Sequence, residues 1–319
     1  MIKNFVLLGV AGHVAARHLE AIRKSGHRVI AAADPKDSVG ILDQYDFDVH
    51  FFTETERLDR HLEKLRQRNP SEGAHYVSVC SPNYLHDAHC RLGLRLQADV
   101  ICEKPIVINP SNLDSLERLE EETEKQIYPI LQLRYHPQLQ KIHKITRAEK
   151  PPQKHEVLLT YITPRGRWYH ISWKGSEEKS GGLLTNIGIH IFDILLWLFG
   201  DVETYQVHHL DKNRVAGFLE LKSAHVHWFL SIAKEDVEQT GTPPSARPLR
   251  SLILDGEEII DVSTGFEHLH LQAYQAILKG EGLSLQQSRP SIELAYRLRH
   301  APLHSNHSPT HPFLKQKGF

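Results

Sequence analysis

The stretch NFVLLGVAGHVAARHLEAIRKSGHRVIAAADP, residues 4–35, decides the fold. It opens with a short apolar run that breaks at Gly9 and Gly12. Leu19 and Ile22 then recur at helical spacing until Gly26 ends the pattern. A second apolar run, RVIAAA, closes on Asp34. Strand, glycine turn, helix, strand and acid predict a βαβ unit that holds a dinucleotide. Small residues are needed at the turn, because a side chain there blocks the approach of a pyrophosphate to the backbone, while the helix N-terminus offers N–H donors. Gly9, Gly12 and Ala15 form a Gly-x-x-Gly-x-x-Ala spacing. Ala11 and Val14 stand where the Gly-x-Gly-x-x-Gly fingerprint has glycines, so the turn alone is a weak signal. Asp34 strengthens it, since a carboxylate there accepts from ribose hydroxyls and repels a 2′-phosphate, favouring NAD over NADP. An Asp-Pro turn after any strand is the plainer alternative.

Working outward, HYVSVCSP and ADVICEKP read as further strands, LHDAHCRLGLRLQ and NPSNLDSLERLEEETEKQ as helices, and YPILQL as a sixth strand. The strands are continuously apolar, so both faces are covered. That predicts a parallel, doubly wound α/β sheet over residues 1–130. The texture changes near residue 150. HEVLLTYIT, TYQVHHL, VAGFLELK, AHVHWFLSIA and RSLILDG follow one another and half alternate, which predicts a large, mostly antiparallel open sheet in a second α/β domain, residues 131–319. One strong helix, LLTNIGIHIFDILLWLF, interrupts them and ends at Gly200.

The 319 residues carry 38 Lys and Arg against 39 Asp and Glu, a formal charge of −1. So near-neutral a chain is not a general binder of nucleic acid or of a membrane surface. The N-terminal apolar run is too short to span a bilayer. Cys80, Cys90 and Cys102 form no CxxC pair and read as reduced, buried thiols of a cytoplasmic protein. Of 23 histidines, His300, His304, His307 and His311 cluster near the C-terminus. A metal site is one reading. A polar segment broken by Pro302, Pro309 and Pro312 is the other, and no metal is expected.

Three clusters carry chemistry. Strand C-termini in such sheets line the ligand crevice, which directs Pro82, Asn83 and His86 toward the cofactor. Lys104 ends the fifth strand in that crevice, where its amine could donate to or take a proton from a substrate hydroxyl. Pro105 could hold a cis bond that fixes its direction. A solvated lysine in a strand-end turn is the alternative. Asn186, His190 and Asp193 are spaced i, i+4, i+7, which predicts one face of one helix. His190 could act as general base, with Asn186 and Asp193 orienting substrate or ring. A buried, satisfied histidine is equally compatible. In TPRGRWYHISWKG, Arg165, Arg167 and Lys174 are mixed with Trp168, Tyr169 and Trp173, a composition suited to an anionic sugar or nucleotide-sugar; an exposed edge strand and loop with ordinary surface arginines is the alternative.

With CEKPIVIN and GGLLTNIGIHIFD both present, in this order, the chain resembles the Gfo/Idh/MocA oxidoreductases over residues 3–300. FFTETERLDRHLEKLR, SPNYLHDAH, ILQLRYHP, LTYITPRGRWY and SWKG resemble the branch acting on uronic-acid nucleotide-sugars. The resemblance implies NAD-dependent oxidation of the 3-hydroxyl of UDP-N-acetylglucosaminuronic acid, on the way to diacetamido-uronic sugars of lipopolysaccharide O-antigen. It implies 2-oxoglutarate as a regenerating oxidant. The implied cofactor residues are Gly9, Gly12, His13, Val14, Asp34, Ser81, Pro82, Asn83, His86, Glu103, Lys104 and Gln132. The implied substrate residues are Lys104, Arg134, Arg165, Arg167, Tyr169, Trp173, Asn186 and His190. Asn186 replaces an aspartate common in the family, and an amide is no base, which leaves Lys104 and His190 for proton transfer. A dehydrogenase of another sugar or a cyclitol, and a non-catalytic NAD-binding regulator, remain alternatives. The open sheet face needs cover, so a homodimer or homotetramer is expected.

Overall fold

The computed structural model describes residues 1–148, 153–238, 248–261, 268–304 and 310–315. The chain forms two compact units: Met1–Gln132 with Glu267–Arg289, and Leu133–Phe266 with Pro290–Phe319.

The first unit is built on β1 (Asn4–Leu8), α1 (Ala15–Lys24), β2 (Arg28–Ala33), β3 (His50–Phe52), α2 (Thr55–Arg68), β4 (Tyr76–Val79), α3 (His86–Arg95), β5 (Asp99–Glu103), α4 (Ser111–Thr123) and β6 (Ile127–Ile130). Its sheet order is β3-β2-β1-β4-β5-β6, and all its pairs are parallel. Every residue of β1 is buried, as a strand covered on both faces requires. Polar Asn4 is tolerated there because its Nδ2 donates to the carbonyls of Glu72 and Gly73 and its Oδ1 accepts from Arg28. The strand order reverses between β1 and β4, which opens a crevice at their C-terminal ends.

The second unit contains α5 (Pro137–Ala148), β7 (His155–Ile162), α6 (Trp168–Ile171), α7 (Glu177–Ser180), α8 (Gly182–Asn186), α9 (Gly188–Phe199), β8 (Val202–Leu210), β9 (Arg214–Leu221), β10 (Ala224–Ser231), α10 (Lys234–Glu238), β11 (Leu249–Leu254) and β12 (Glu257–Asp261). Its order is β12-β11-β7-β10-β9-β8. Only β7 and β10 pair in parallel; the other pairs are antiparallel. One face packs on α9 through Trp228 and Phe192, whose rings meet edge-on at 5.5 Å. The opposite face carries the row Leu158, His227 and Phe218, all half-buried.

The single helix expected over 183–199 is two. α8 ends at Asn186, α9 starts at Gly188, and the chain bends by 43° there. Asn186 therefore lies on a different helix from His190 and Asp193. The break follows from packing: a Cβ on Gly188 would lie 2.8 Å from the Phe192 ring and 3.0 Å from Leu230. Among the described residues no single helix is long and apolar enough to cross a membrane.

The expected division at residue 130 has one crossing. In the structure the chain returns: α11 (Leu269–Leu278) lies in the first unit, and α12 (Leu285–Arg299) follows. A last turn, α13 (Pro312–Lys315), brings Leu314 onto a cluster of Ile162, Ala216, Phe229 and Val237. His311 is wholly buried there. Its ring stacks on Phe229 at 5.4 Å, and its Nε2 lies 3.2 Å from the Thr160 hydroxyl. His307 lies outside the described residues.

Candidate functional site

In the first unit the glycine turn is pressed onto the end of β4. Gly9 has φ +86°, and a Cβ there would sit 2.5 Å from the Ser81 nitrogen. A Cβ on Gly12 would lie 3.0 Å from the Gly9 carbonyl oxygen. The protein's own backbone thus demands small residues here, before any phosphate does. Val14 and the exposed His13 lead into α1. Asp34 reaches back over the turn: its Oδ2 accepts from the Ala11 N–H at 3.0 Å and its Oδ1 from Lys36 at 2.9 Å. Each oxygen keeps a lone pair for a ribose hydroxyl.

Past β4, the Ser81 hydroxyl pairs with His89 at 2.8 Å, and Pro82 and the buried Asn83 begin a 3-10 turn. His86 was expected to face the cofactor. The structure buries it, with its Nδ1 2.7 Å from the Pro105 carbonyl and its Nε2 2.7 Å from that of Ser81. It is a strut between two walls. Burial lowers its pKa, against the pull of the two carbonyls. Lys104 is half-buried after β5, and the Lys104–Pro105 bond is cis. Glu103, also expected at the cofactor, instead turns inward to His18 and His270. Gln132 ends the unit with a buried Oε1 that has no hydrogen-bond partner among the described residues. The backbone cradle, the free lone pairs of Asp34 and this orphaned acceptor together fit NAD.

In the second unit Arg134 forks onto Asp193, with Nε at 2.9 Å from Oδ2 and Nη2 at 2.6 Å from Oδ1. Burial raises the Asp193 pKa and Arg134 pulls it down. This guanidinium was expected on a substrate anion, and it spends two of its donors on the protein. Its Cζ lies 5.9 Å over Trp197, which stacks on His143 at 3.9 Å. Tyr169 is buried, and its hydroxyl accepts from the Asn186 amide at 2.8 Å. That bond ties the RGRWYH segment to the end of α8. Trp173 is half-buried beneath the Lys174 ammonium, 3.9 Å from the ring centroid. Trp168, beside exposed Arg165 and Arg167, stands open at 55% exposure. His190 is half-buried in the first turn of α9.

Sequence spacing did not find His18 and His270, which meet on Glu103, or Tyr274, which bonds His18. Among the described residues, His18, Glu103 and His270 are also near enough to share a metal ion. Nothing at separations of 85 and 167 residues signals that meeting.

Residues 3–130 match a profile described as "Oxidoreductase family, NAD-binding Rossmann fold", and residues 151–236 match "Oxidoreductase family, C-terminal alpha/beta domain". The WlbA (WbpB) dehydrogenase of Thermus thermophilus, solved with NAD and UDP-GlcNAcA, is 43% identical over 98% of this chain and 100% of that one, with a TM-score of 0.93. The same enzyme has been solved with NAD and alpha-ketoglutarate. The WlbA dehydrogenase of Bordetella pertussis shares the fold at 16% identity, with a TM-score of 0.76 over 95% of this chain and 100% of that one. Among curated proteins, the 2,7-anhydro-N-acetylneuraminate hydratase of Mediterraneibacter gnavus is 29% identical over 183 residues, 56% of this chain and 44% of that protein. The chain spans less than half the length of the curated relatives it matches. Its two halves match two profiles of one group in chain order, and the protein belongs to the Gfo/Idh/MocA oxidoreductase family.

Proposed function

We propose that the protein oxidises the 3-hydroxyl of UDP-N-acetylglucosaminuronic acid to the 3-keto sugar, with NAD as hydride acceptor. The observation that carries this is 43% identity, end to end, to a dehydrogenase solved with NAD and that sugar nucleotide. Bound NAD supplies the acceptor for the C3 hydride. The remaining work falls to this chain. The turn at Gly9 and Gly12 and the N-terminus of α1 receive the pyrophosphate. Asp34 takes ribose hydroxyls. The Lys104 ammonium stabilises alkoxide character on the substrate oxygen, and His190 accepts its proton. Asn186 orients the sugar. Arg165 and Arg167 suit the uronate or diphosphate through forked hydrogen bonds, and Tyr169 and Trp173 shape their surroundings.

A second half-reaction with 2-oxoglutarate would restore NAD; the Thermus enzyme binds that acid under its other name. The setting proposed is O-antigen synthesis in the cytoplasm, where three buried, unbridged cysteines are at home. A homodimer or homotetramer through the open face of the second sheet is part of the proposal, and light scattering that finds only monomer at micromolar concentration would remove it.

The test mixes protein, NAD and UDP-N-acetylglucosaminuronic acid and follows the reduced-nicotinamide band, with and without 2-oxoglutarate. A band that 2-oxoglutarate erases is expected. Lys104→Ala should cut turnover by about 10²–10⁴-fold with NAD still bound. Absence of both the band and a 3-keto product would overturn the substrate assignment.

A further inference from the structure

The carboxylate of Glu103 lies at the bottom of a hydrogen-bond chain that runs in one direction. Its Oε1 is 3.1 Å from His18 Nε2 and 2.9 Å from His270 Nε2, and its Oε2 accepts from the Lys104 backbone N–H at 3.3 Å. An ionised carboxylate only accepts, so both histidines donate from Nε2. Burial lowers the His18 pKa and keeps the ring neutral, so its Nδ1 is an acceptor, and it meets the Tyr274 hydroxyl at 2.7 Å. Tyr274 in turn accepts from Ser78, also at 2.7 Å. Every polar hydrogen in the set points toward Glu103. The side chains of Ser78, Glu103, His18, His270 and Tyr274 come from β4, β5, α1 and α11, and all are buried. His270 and Tyr274, four residues apart on α11, are what the returning segment brings to the first unit.

We infer that His18, His270 and Tyr274 are positioning residues that hold Glu103 as an inward-turned carboxylate and so anchor the backbone of Lys104. A proton on Oε1 would displace one of the two Nε2 donors, and a proton on Oε2 would weaken that oxygen as acceptor of the Lys104 N–H, so a neutral Glu103 loses a bond either way. Every element packed around the group bears on this. β4 leads into Cys80, β5 presents Cys102, α3 presents His86, α1 presents His18, α11 presents His270 and Tyr274, and Lys104 follows in the chain. Burial keeps both thiols protonated and pushes the Tyr274 hydroxyl up. Burial also pushes Glu103 up, but the bonds from His18 and His270 outweigh it and leave the group well below the ordinary carboxylate value. Removing a donor tips that balance the other way.

The inference rests on the role given above to Lys104, and the experiment separates the two. Infrared difference spectra against Glu103→Gln read whether residue 103 is carboxylate or carboxylic acid, with no turnover needed. Turnover against pH and NAD affinity are read on the same variants. In His270→Leu, the carboxylic-acid band should appear at a pH at least one unit higher, a tenfold change in the protonation constant. The acid limb of kcat should move with it, and kcat should fall about tenfold while KM for NAD stays within about twofold. Tyr274→Phe should act in the same direction, and His270→Gln, which keeps a donor, should lie nearer the parent protein. If His270→Leu and His270→Gln show parent-like spectra and acid limbs and differ only in melting temperature, the role is structural and the inference falls. Stoichiometric zinc in the purified protein, lost in His270→Ala, would make the trio metal ligands and overturn it too. Parent protein that oxidises no nucleotide-sugar would sink the proposed function, whereas the spectra would still decide this inference.

Discussion

A methyl group at position 9 has nowhere to go. It would collide with the Cys80–Ser81 backbone just past β4 from a positive-φ residue, so strain alone costs about 1–3 kcal/mol. Gly26 has φ +77° with nothing within 4 Å of an added methyl. Gly9→Ala should therefore lower the urea midpoint and abolish NAD binding by calorimetry, whereas Gly26→Ala should cost about 1–2 kcal/mol and leave binding intact. Asp193 makes a second residue-scale case. Its partner Arg134 has a side chain only 12% exposed. Asp193→Asn strands that charge and should destabilise the fold by about 3–5 kcal/mol, read by urea unfolding. Replacing both residues by Met and Leu should recover much of the loss. The strand-end position of Lys104 and its cis bond to Pro105 were legible in the sequence, because an apolar run stops at Cys102 and a proline follows. The fork of Arg134 on Asp193 was not, since two residues 59 apart share no local pattern.

At the scale of elements, hydrophobic runs located both sheets, because buried strands must be apolar whatever surrounds them. They did not show the break between α8 and α9. The i, i+4, i+7 spacing of Asn186, His190 and Asp193 runs straight through Ile187, so nothing in LLTNIGIHIFDILLW marks that residue as a corner. The corner is tertiary, set by how closely Gly188 approaches Phe192 and Leu230. Gly188→Ala tests this. Helix propensity alone would favour alanine by about 1 kcal/mol, but the contacts at 2.8 and 3.0 Å should reverse the sign to a net loss of about 1–3 kcal/mol. A raised melting temperature in that variant would show that the helices tolerate a wider approach to β10.

For the whole molecule, buried neutral histidines set the response to acid. Burial pulls His311 down to about 3 and His89 to about 4. The unfolded chain takes up these protons first, so stability falls as pH drops below the ordinary histidine value and the loss from His311 levels off only near pH 3. His311 alone should cost about 2 kcal/mol between about pH 7 and pH 5. Urea midpoints at the two pH values should draw together in His311→Leu, whose side chain fills the space between Phe229 and Thr160 without titrating. The tail histidines suggested no such role in the sequence, because the pattern around His311 says nothing of the sheet it lands on.

The return of α11 to the first unit also sets an order of events during synthesis. All six strands of the first sheet have left the ribosome soon after Gln132, yet His270 and Tyr274 are made more than a hundred residues later. At roughly 5–20 residues per second the delay is on the order of ten seconds. Through that interval the Glu103 carboxylate has His18 within the chain already made but lacks His270, and only the late helix completes its set of donors.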